Sequence, residues 1–222
     1  YIYAFSLLFF GGVHYVFSRY IADMIYEEKN HAIPPALVSI FVLTIVSSGA
    51  IAVIFLVFND FSFIKNPLLY QISFVLLFIA INLIWLMLIY VALLKAYYKI
   101  FFAYLVGVAF SVIGVLKLGA IYGVAGALLG YAVGQFIIVV LLLIISNKSY
   151  PLKVFTWSRE VFAYFKKFLY LVLIGMFFNL GIWIDKIMYW IAKGEVIKGT
   201  LYFYFIHYDI PVFLGFLSMI PG

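Results

Sequence analysis

Seven long apolar runs constrain this chain more than any other feature. A helix rises about 1.5 Å per residue, so crossing a hydrocarbon core of roughly 30 Å takes about 20 apolar residues. The runs 1–22, 36–58, 68–94, 100–116, 120–145, 168–192 and 201–221 meet or nearly meet that length. Only Lys117-Leu118-Gly119 separates the fourth from the fifth, whereas Asn59-Asp60, Asn66-Pro67, Lys193-Gly194-Glu195 and Lys198-Gly199 carry turn chemistry elsewhere. Hydrophobic residues make up 68% of the 222 and charged ones 10%, against roughly 25% charged in a soluble domain. A soluble fold of this size leaves about a third of its chain surface in water and could not hide so much apolar area. The composition thus excludes a soluble domain, a disordered chain and a collagen-like fibre. A lipid-spanning barrel needs strands that alternate polar and apolar residues, but Val139-Val140-Leu141-Leu142-Leu143-Ile144-Ile145 is apolar on every face. The expected fold class is all-α, a polytopic transmembrane helical bundle of about seven spans.

Tyr1 already lies inside an apolar run, and Met219-Ile220-Pro221-Gly222 closes another. No charged leader or cleavage site precedes the first run. These ends lead us to expect a fragment cut within membrane spans. Cysteine is absent, which excludes disulfides, thiolate metal sites and thiol nucleophiles from this stretch. The formal charge of +6 would suggest nucleic acid in a soluble protein. Here the basic residues are scattered among short connections, so membrane topology explains them better and no nucleic-acid partner is expected. Connections one, three and five carry nine basic residues, namely Arg19, Lys29, Lys95, Lys99, Lys148, Lys153, Arg159, Lys166 and Lys167. Connections two, four and six carry five, namely Lys65, Lys117, Lys186, Lys193 and Lys198. The positive-inside rule places the odd connections in the cytoplasm.

The fifth connection, 146–167, is the longest and holds Pro151, Trp157 and the run Glu160-Val161-Phe162-Ala163-Tyr164-Phe165-Lys166-Lys167. That run reads as an amphipathic helix lying on the inner membrane surface, with its lysines on anionic lipid. It also marks the natural boundary between two lobes. We expect N-terminal spans over 1–147, a cytoplasmic link over 148–167, and the first two helices of a second lobe over 168–222.

Gly119, Gly123, Gly126, Gly130 and Gly134 supply small-xxx-small spacings, which let helices approach closely. Static packing is the favoured reading, and a sliding face the alternative. A charged group near mid-bilayer costs on the order of 3 kcal/mol by insertion scales, so Asp185, Lys186, His207 and Asp209 stand out. Read as parts of two antiparallel spans, they lie roughly 10–13 Å below the outer surface. Lys186 shares a helical stripe with Gly175 and Asn179, while Asp185 points about 100° away. Pro211 cannot donate to the carbonyl of His207, so a kink with a free acceptor is expected there. A carboxylate beside a broken helix suits an ion or substrate site, and structural pairing between two helices is the competing account.

Arg19 and Asp23 stand four residues apart at the inner end of the first span. An intrahelical ion pair is the default and a cytoplasmic gate the sharper alternative. His14 reads as a hydrogen-bonded packing residue rather than a proton relay. The three histidines fall in different elements, so no metal site is expected. No phosphate-binding loop or nucleophile elbow occurs. Asp23, Glu27, Glu28 and His31 form only a weak acidic cluster for a membrane transferase. Neither enzymatic activity nor a cofactor is expected.

Three stretches carry a family likeness. They are Ser18-Arg19-Tyr20-Ile21-Ala22-Asp23-Met24-Ile25-Tyr26-Glu27, the segment Gly175-Met176-Phe177-Phe178-Asn179-Leu180-Gly181-Ile182-Trp183-Ile184-Asp185-Lys186, and the stretch 208–222, which opens Tyr208-Asp209-Ile210-Pro211. Together they resemble the PelG family of Pel exopolysaccharide export, which is similar to the MOP flippase superfamily with Wzx, MurJ and the MATE exporters. The resemblance implies two helical bundles around a central cavity, alternating access, and residence in the bacterial inner membrane. It implies an amino-sugar polysaccharide substrate and a synthase complex with the glycosyltransferase PelF and with PelD and PelE. It also implies that the family's first helix and most of its second lobe lie outside this sequence. No binding residues come with the resemblance.

The expected function is therefore export of a polysaccharide linked to biofilm formation, with membrane lipid as the surroundings. Tyr204, Tyr208, Trp183 and Tyr189 offer stacking faces for sugar rings, and Asp185 and Asp209 suit a partly cationic chain. The rivals are a MATE-like cation antiporter coupled at Asp209, a membrane scaffold that anchors a glycosyltransferase, and an integral-membrane transferase.

Overall fold

The computed structural model describes residues 1–93, 95, 97–149, 151, 156–197 and 199–218. Lys153 and Lys198, the final stretch 219–222 and part of the fifth connection lie outside the described residues. Helix α1 (Ile2–Tyr26) is followed by a short 3-10 turn at Asn30–Ala32 and by α2 (Ile33–Val57). Pro34 and Pro35 sit in the first turn of α2, where their fixed φ suits a helix start and their missing N–H groups have no helical partner to lose. Then come α3 (Pro67–Leu93), α4 (Tyr97–Ser149), the short α5 (Arg159–Lys167) and α6 (Leu169–Lys193). Strands β1 (Glu195–Val196) and β2 (Phe203–Tyr204) pair antiparallel before α7 (Ile206–Ser218). Among the described residues, four helices are long and apolar enough to cross a membrane, namely the stretches Asn30–Val57, Pro67–Leu93, Tyr97–Lys148 and Leu169–Lys193. The chain is a transmembrane helical bundle.

Helix α4 is a hairpin of two legs. Gly123 takes φ 65° and ψ −143°, outside helical space, in a region open to a residue without Cβ. The expected break at Lys117-Leu118-Gly119 is therefore misplaced. Those residues stay helical, and the chain turns four residues past Gly119. Below the turn the legs touch through glycine. A Cβ on Gly130 would run into the backbone of Gly114, and one on Gly134 into Ser111. The clustered glycines thus serve close packing within one hairpin. Replacing Gly130 with leucine should destabilise the bundle by more than about 3 kcal/mol, the upper end for overpacking, because backbone blocks the new side chain. Thermal unfolding of the detergent-solubilised variant measures this.

The core lies where α1, α2, α3 and the α4 hairpin meet, around Phe17, Tyr20, Ile33, Leu37, Met87 and Tyr90. Several hydroxyls and amides within the helices bond to carbonyls one turn back. Ser39 Oγ donates to Pro35 O at 2.8 Å, Ser73 Oγ to Leu69 O at 2.6 Å, and Asn82 Nδ2 to Phe78 O at 2.7 Å. In lipid these local bonds matter, because no water is at hand to satisfy the groups.

The run 201–221 is not one long helix. Its first residues form β2, paired Glu195 with Tyr204 and Val196 with Phe203. Tyr202-Phe203-Tyr204-Phe205 is aromatic throughout, a composition that suits a pleated edge. This moves Asp209 and His207 from mid-helix to the opening turns of α7. Pro211 sits inside α7, and the helix runs on to Ser218.

Candidate functional site

The charged residues of α6 and α7 converge at the junction of the two helices. Lys186 Nζ lies 3.2 Å from Asp209 Oδ1, with the two side chains only 16% and 25% exposed. Asp209 has further partners. Trp190 Nε1 donates to its Oδ1 at 3.0 Å, and the Phe205 N–H donates to its Oδ2 at 3.0 Å. Because Asp209 stands in the first turn, its carboxylate reaches back to a backbone N–H just before the helix, as the acidic residue of a capping box does. Lys186 and Trp190 are four residues apart and share a face of α6, and the ammonium lies 5.2 Å from the centre of the Trp190 ring.

Asp185 takes a different partner. It accepts from the Tyr208 hydroxyl and, at 2.8 Å, from the Lys186 backbone N–H. Its side chain stays exposed. Aromatic rings surround the junction. Tyr1 stacks on Trp190 at 4.6 Å and 10°, and Tyr189 stacks on Tyr208 at 4.2 Å and 22°. The Tyr1 hydroxyl donates to Phe203 O and accepts from Phe203 N–H, which ties α1 to β2. On the β-hairpin, the Tyr204 hydroxyl bonds to Glu195, which holds the phenol above its ordinary pKa. The arrangement offers one half-open carboxylate, one carboxylate satisfied by three donors, and flat aromatic faces.

Two residues of the expected set stand apart from this junction. His207 is exposed and packs edge-on against Phe205, because two residues along a helix turn its side chain away from Asp209. Asn179 is buried two turns earlier along the same stripe of α6. Its Nδ2 donates to Gly175 O at 2.8 Å, and its side chain covers Gly11 of α1. There α1 and α6 come together through Gly12 and Gly175, whose backbones leave no room for a Cβ between them. A cavity of about 500 Å³ opens beside this seam, lined among others by His14, Tyr15, Trp85, Phe178 and Asn179 from α1, α3 and α6. His14 is buried as expected of a packing residue. Its Nε2, however, finds no hydrogen-bond partner among the described residues, and neither does Trp85 Nε1.

The C-terminal end of α1 carries a second assembly. Arg19 Nε and Asp23 Oδ2 are 3.9 Å apart and both side chains are largely exposed, a geometry worth little by itself. The same groups also reach beyond α1. The Tyr164 hydroxyl of α5 donates to Asp23, and the Arg19 guanidinium lies 4.2 Å from the centre of the Phe168 ring. Burial, then the bond to Asp23, pushes the Tyr164 hydroxyl up to about 12, so it remains a donor at neutral pH. Helix α5 is capped by Ser158, whose N–H donates to Ser39 Oγ of α2 at 2.8 Å, and Val161 is fully buried.

Trp190 and Tyr1 were not among the residues expected at the site. Spacing held the signal for Trp190, one turn from Lys186. Nothing in the sequence brings Tyr1 to α6. No group of three or more metal-binding side chains occurs among the described residues.

A family model described as "PelG: Putative exopolysaccharide Exporter (EPS-E)" matches residues 1–222. Neither a curated protein nor a solved structure matches the chain.

Proposed function

The chain belongs to the PelG family of exopolysaccharide exporters, and from that premise we propose that it conducts a Pel-like amino-sugar polymer, or its precursor, across the bacterial inner membrane by alternating access, as MOP-type flippases do. The observation that carries this reading is the cavity of about 500 Å³ at the seam of α1, α3 and α6. Residues 1–147 and 168–222 are the two lobes of the proposal, and the seam is where they meet. Glycine contact keeps the helices close without interlocking side chains, which suits surfaces that separate and rejoin. The link 148–167 bridges the lobes through α5, anchored on α1 by Tyr164 and on α2 by Ser158.

The junction of α6 and α7 supplies chemistry for a sugar chain with free amines. Asp185 is exposed and half-satisfied, and the Tyr189–Tyr208 stack presents a flat apolar surface beside it. An ammonium group on the substrate competes with Lys186 for Asp209, and sugar faces pack on the rings. The synthase partners PelF, PelD and PelE belong to the same proposal, with the basic connections as their docking side.

Proteoliposomes holding the exporter should move a polymer with free amines about tenfold faster than its fully N-acetylated form, the scale of one charge-assisted hydrogen bond. Equal rates would remove the carboxylates from substrate selection, and transport of neither form would end the conduit reading. A second reading, a membrane scaffold for a glycosyltransferase, is favoured by one observation: Asp209 is already fully engaged by Lys186, Trp190 and Phe205.

A further inference from the structure

The open end of the α4 hairpin carries a groove unrelated to the junction and the seam. It lies between the two legs and is lined by Lys99, Phe102 and Val106 on one and by Leu141, Ile144 and Lys148 on the other, with a volume of about 390 Å³. Its walls are apolar and its mouth holds two ammonium groups. Both lysines are exposed, and the ion pairs found among the described residues include neither. No acidic residue occurs anywhere between Asp60 and Glu160, so neither lysine has a carboxylate close in sequence.

Position decides what such a mouth meets. Each leg runs about 26 residues from the turn at Gly123, a rise of roughly 39 Å against a hydrocarbon thickness of about 30 Å. Lys99 and Lys148, in the outermost turns, therefore stand at headgroup level while the apolar walls below them face acyl chains. Phe102 is 60% exposed and Ile144 49%, so the groove opens sideways to lipid. Paired cations above an apolar slot between transmembrane helices match an anionic phospholipid in both charge and shape.

The geometry points to a bound anionic phospholipid, its phosphate held between Lys99 and Lys148 and its chains laid between the legs of α4. A merely snorkelling lysine pair would sample any headgroup in the layer. A built site retains one lipid through extraction.

The test uses the whole chain in nanodiscs of equal parts phosphatidylglycerol and phosphatidylcholine, released into the gas phase so that retained lipids are weighed. Each lysine near a charged surface contributes roughly a fivefold preference, so the pair should favour phosphatidylglycerol on the order of 30-fold. The variant Lys99→Gln/Lys148→Gln should lose that preference. Lys99→Arg/Lys148→Arg should keep it, and Lys117→Gln, near the opposite end of the hairpin, should leave it unchanged. Equal retention of both lipids by the natural chain overturns the proposal, as does a preference that survives in the glutamine variant. Unfolding temperature is read on every variant, and the arginine pair shows whether charge or folding is at issue. The result is independent of polymer export, so it stands or falls apart from the conduit reading.

Discussion

Joining a cysteine at position 15 to one at position 178 with a thiol cross-linker should stop polymer export, and cleaving the link should restore it. The Tyr15 and Phe178 rings lie 6.3 Å apart across the α1–α6 seam and both line its cavity. The chain has no cysteine of its own, so Tyr15→Cys/Phe178→Cys introduces the sole reactive thiols in this stretch. Rocking of two bundles needs the seam to open on one side of the membrane in each cycle, and hinge or shear motion cannot proceed through a covalent strap. Export should therefore fall in proportion to the cross-linked fraction, while each single-cysteine variant exports normally after the same treatment. The measurement is secreted polymer per cell, set against cross-linking read from gel mobility. Export that persists in fully cross-linked protein would place the moving surface elsewhere or make the chain a static anchor. This outcome separates the conduit from the scaffold, because a scaffold is indifferent to whether α1 and α6 part.

The helices that the sequence showed plainly are the ones lipid dictates. The runs 68–94 and 168–192 became Pro67–Leu93 and Leu169–Lys193, because in hydrocarbon a helix satisfies every backbone group within its own segment. What the sequence hid were places where hydrophobicity stays constant while backbone geometry changes. Through the turn at Gly123 the chain remains largely apolar on both sides, and the one charged residue nearby in sequence, Lys117, drew the expected break away from it. The run from Leu201 is apolar too, yet its aromatic residues pair as a strand, which a hydropathy pattern does not distinguish from a helix. Period and length find elements; they do not find where a glycine at positive φ reverses one.

The junction of α6 and α7 was half legible for a related reason. Unusual charges in apolar runs marked Asp185, Lys186 and Asp209, since such groups are costly there. Which charge meets which donor depends on where α7 begins, and that depends on the β-hairpin. Once α7 starts at Ile206, Asp209 becomes a first-turn residue facing Trp190, and His207 turns outward. Asn179 followed the stripe of Gly175 but serves the seam. One stripe on α6 thus feeds two sites, Asn179 at the cavity and Lys186 at the junction.

Neutralising the Lys186–Asp209 pair in three ways distinguishes a lock between helices from a contact with substrate. Removing one member leaves the other partly buried and unpaired. Exposure of 16% and 25% puts the cost between that of a surface pair and that of a fully buried one, about 2 kcal/mol. Lys186→Gln and Asp209→Asn should each lower the unfolding temperature, whereas Lys186→Gln/Asp209→Asn should recover most of the loss, since no unpaired charge remains. Trp190 and the Phe205 N–H keep an acceptor in the asparagine. Export then separates the two accounts. Were the pair only a lock, the double variant, being folded, would secrete polymer at close to the natural rate. If the Asp209 carboxylate engages an ammonium on the polymer, both variants that lack it should fall on the order of tenfold in export, the scale of a charge-assisted bond. Lys186→Gln alone should fall less, because it frees the carboxylate for substrate. The contrast between Asp209→Asn and Lys186→Gln at matched protein levels is thus the decisive reading, and equal losses in the two would assign the pair to structure.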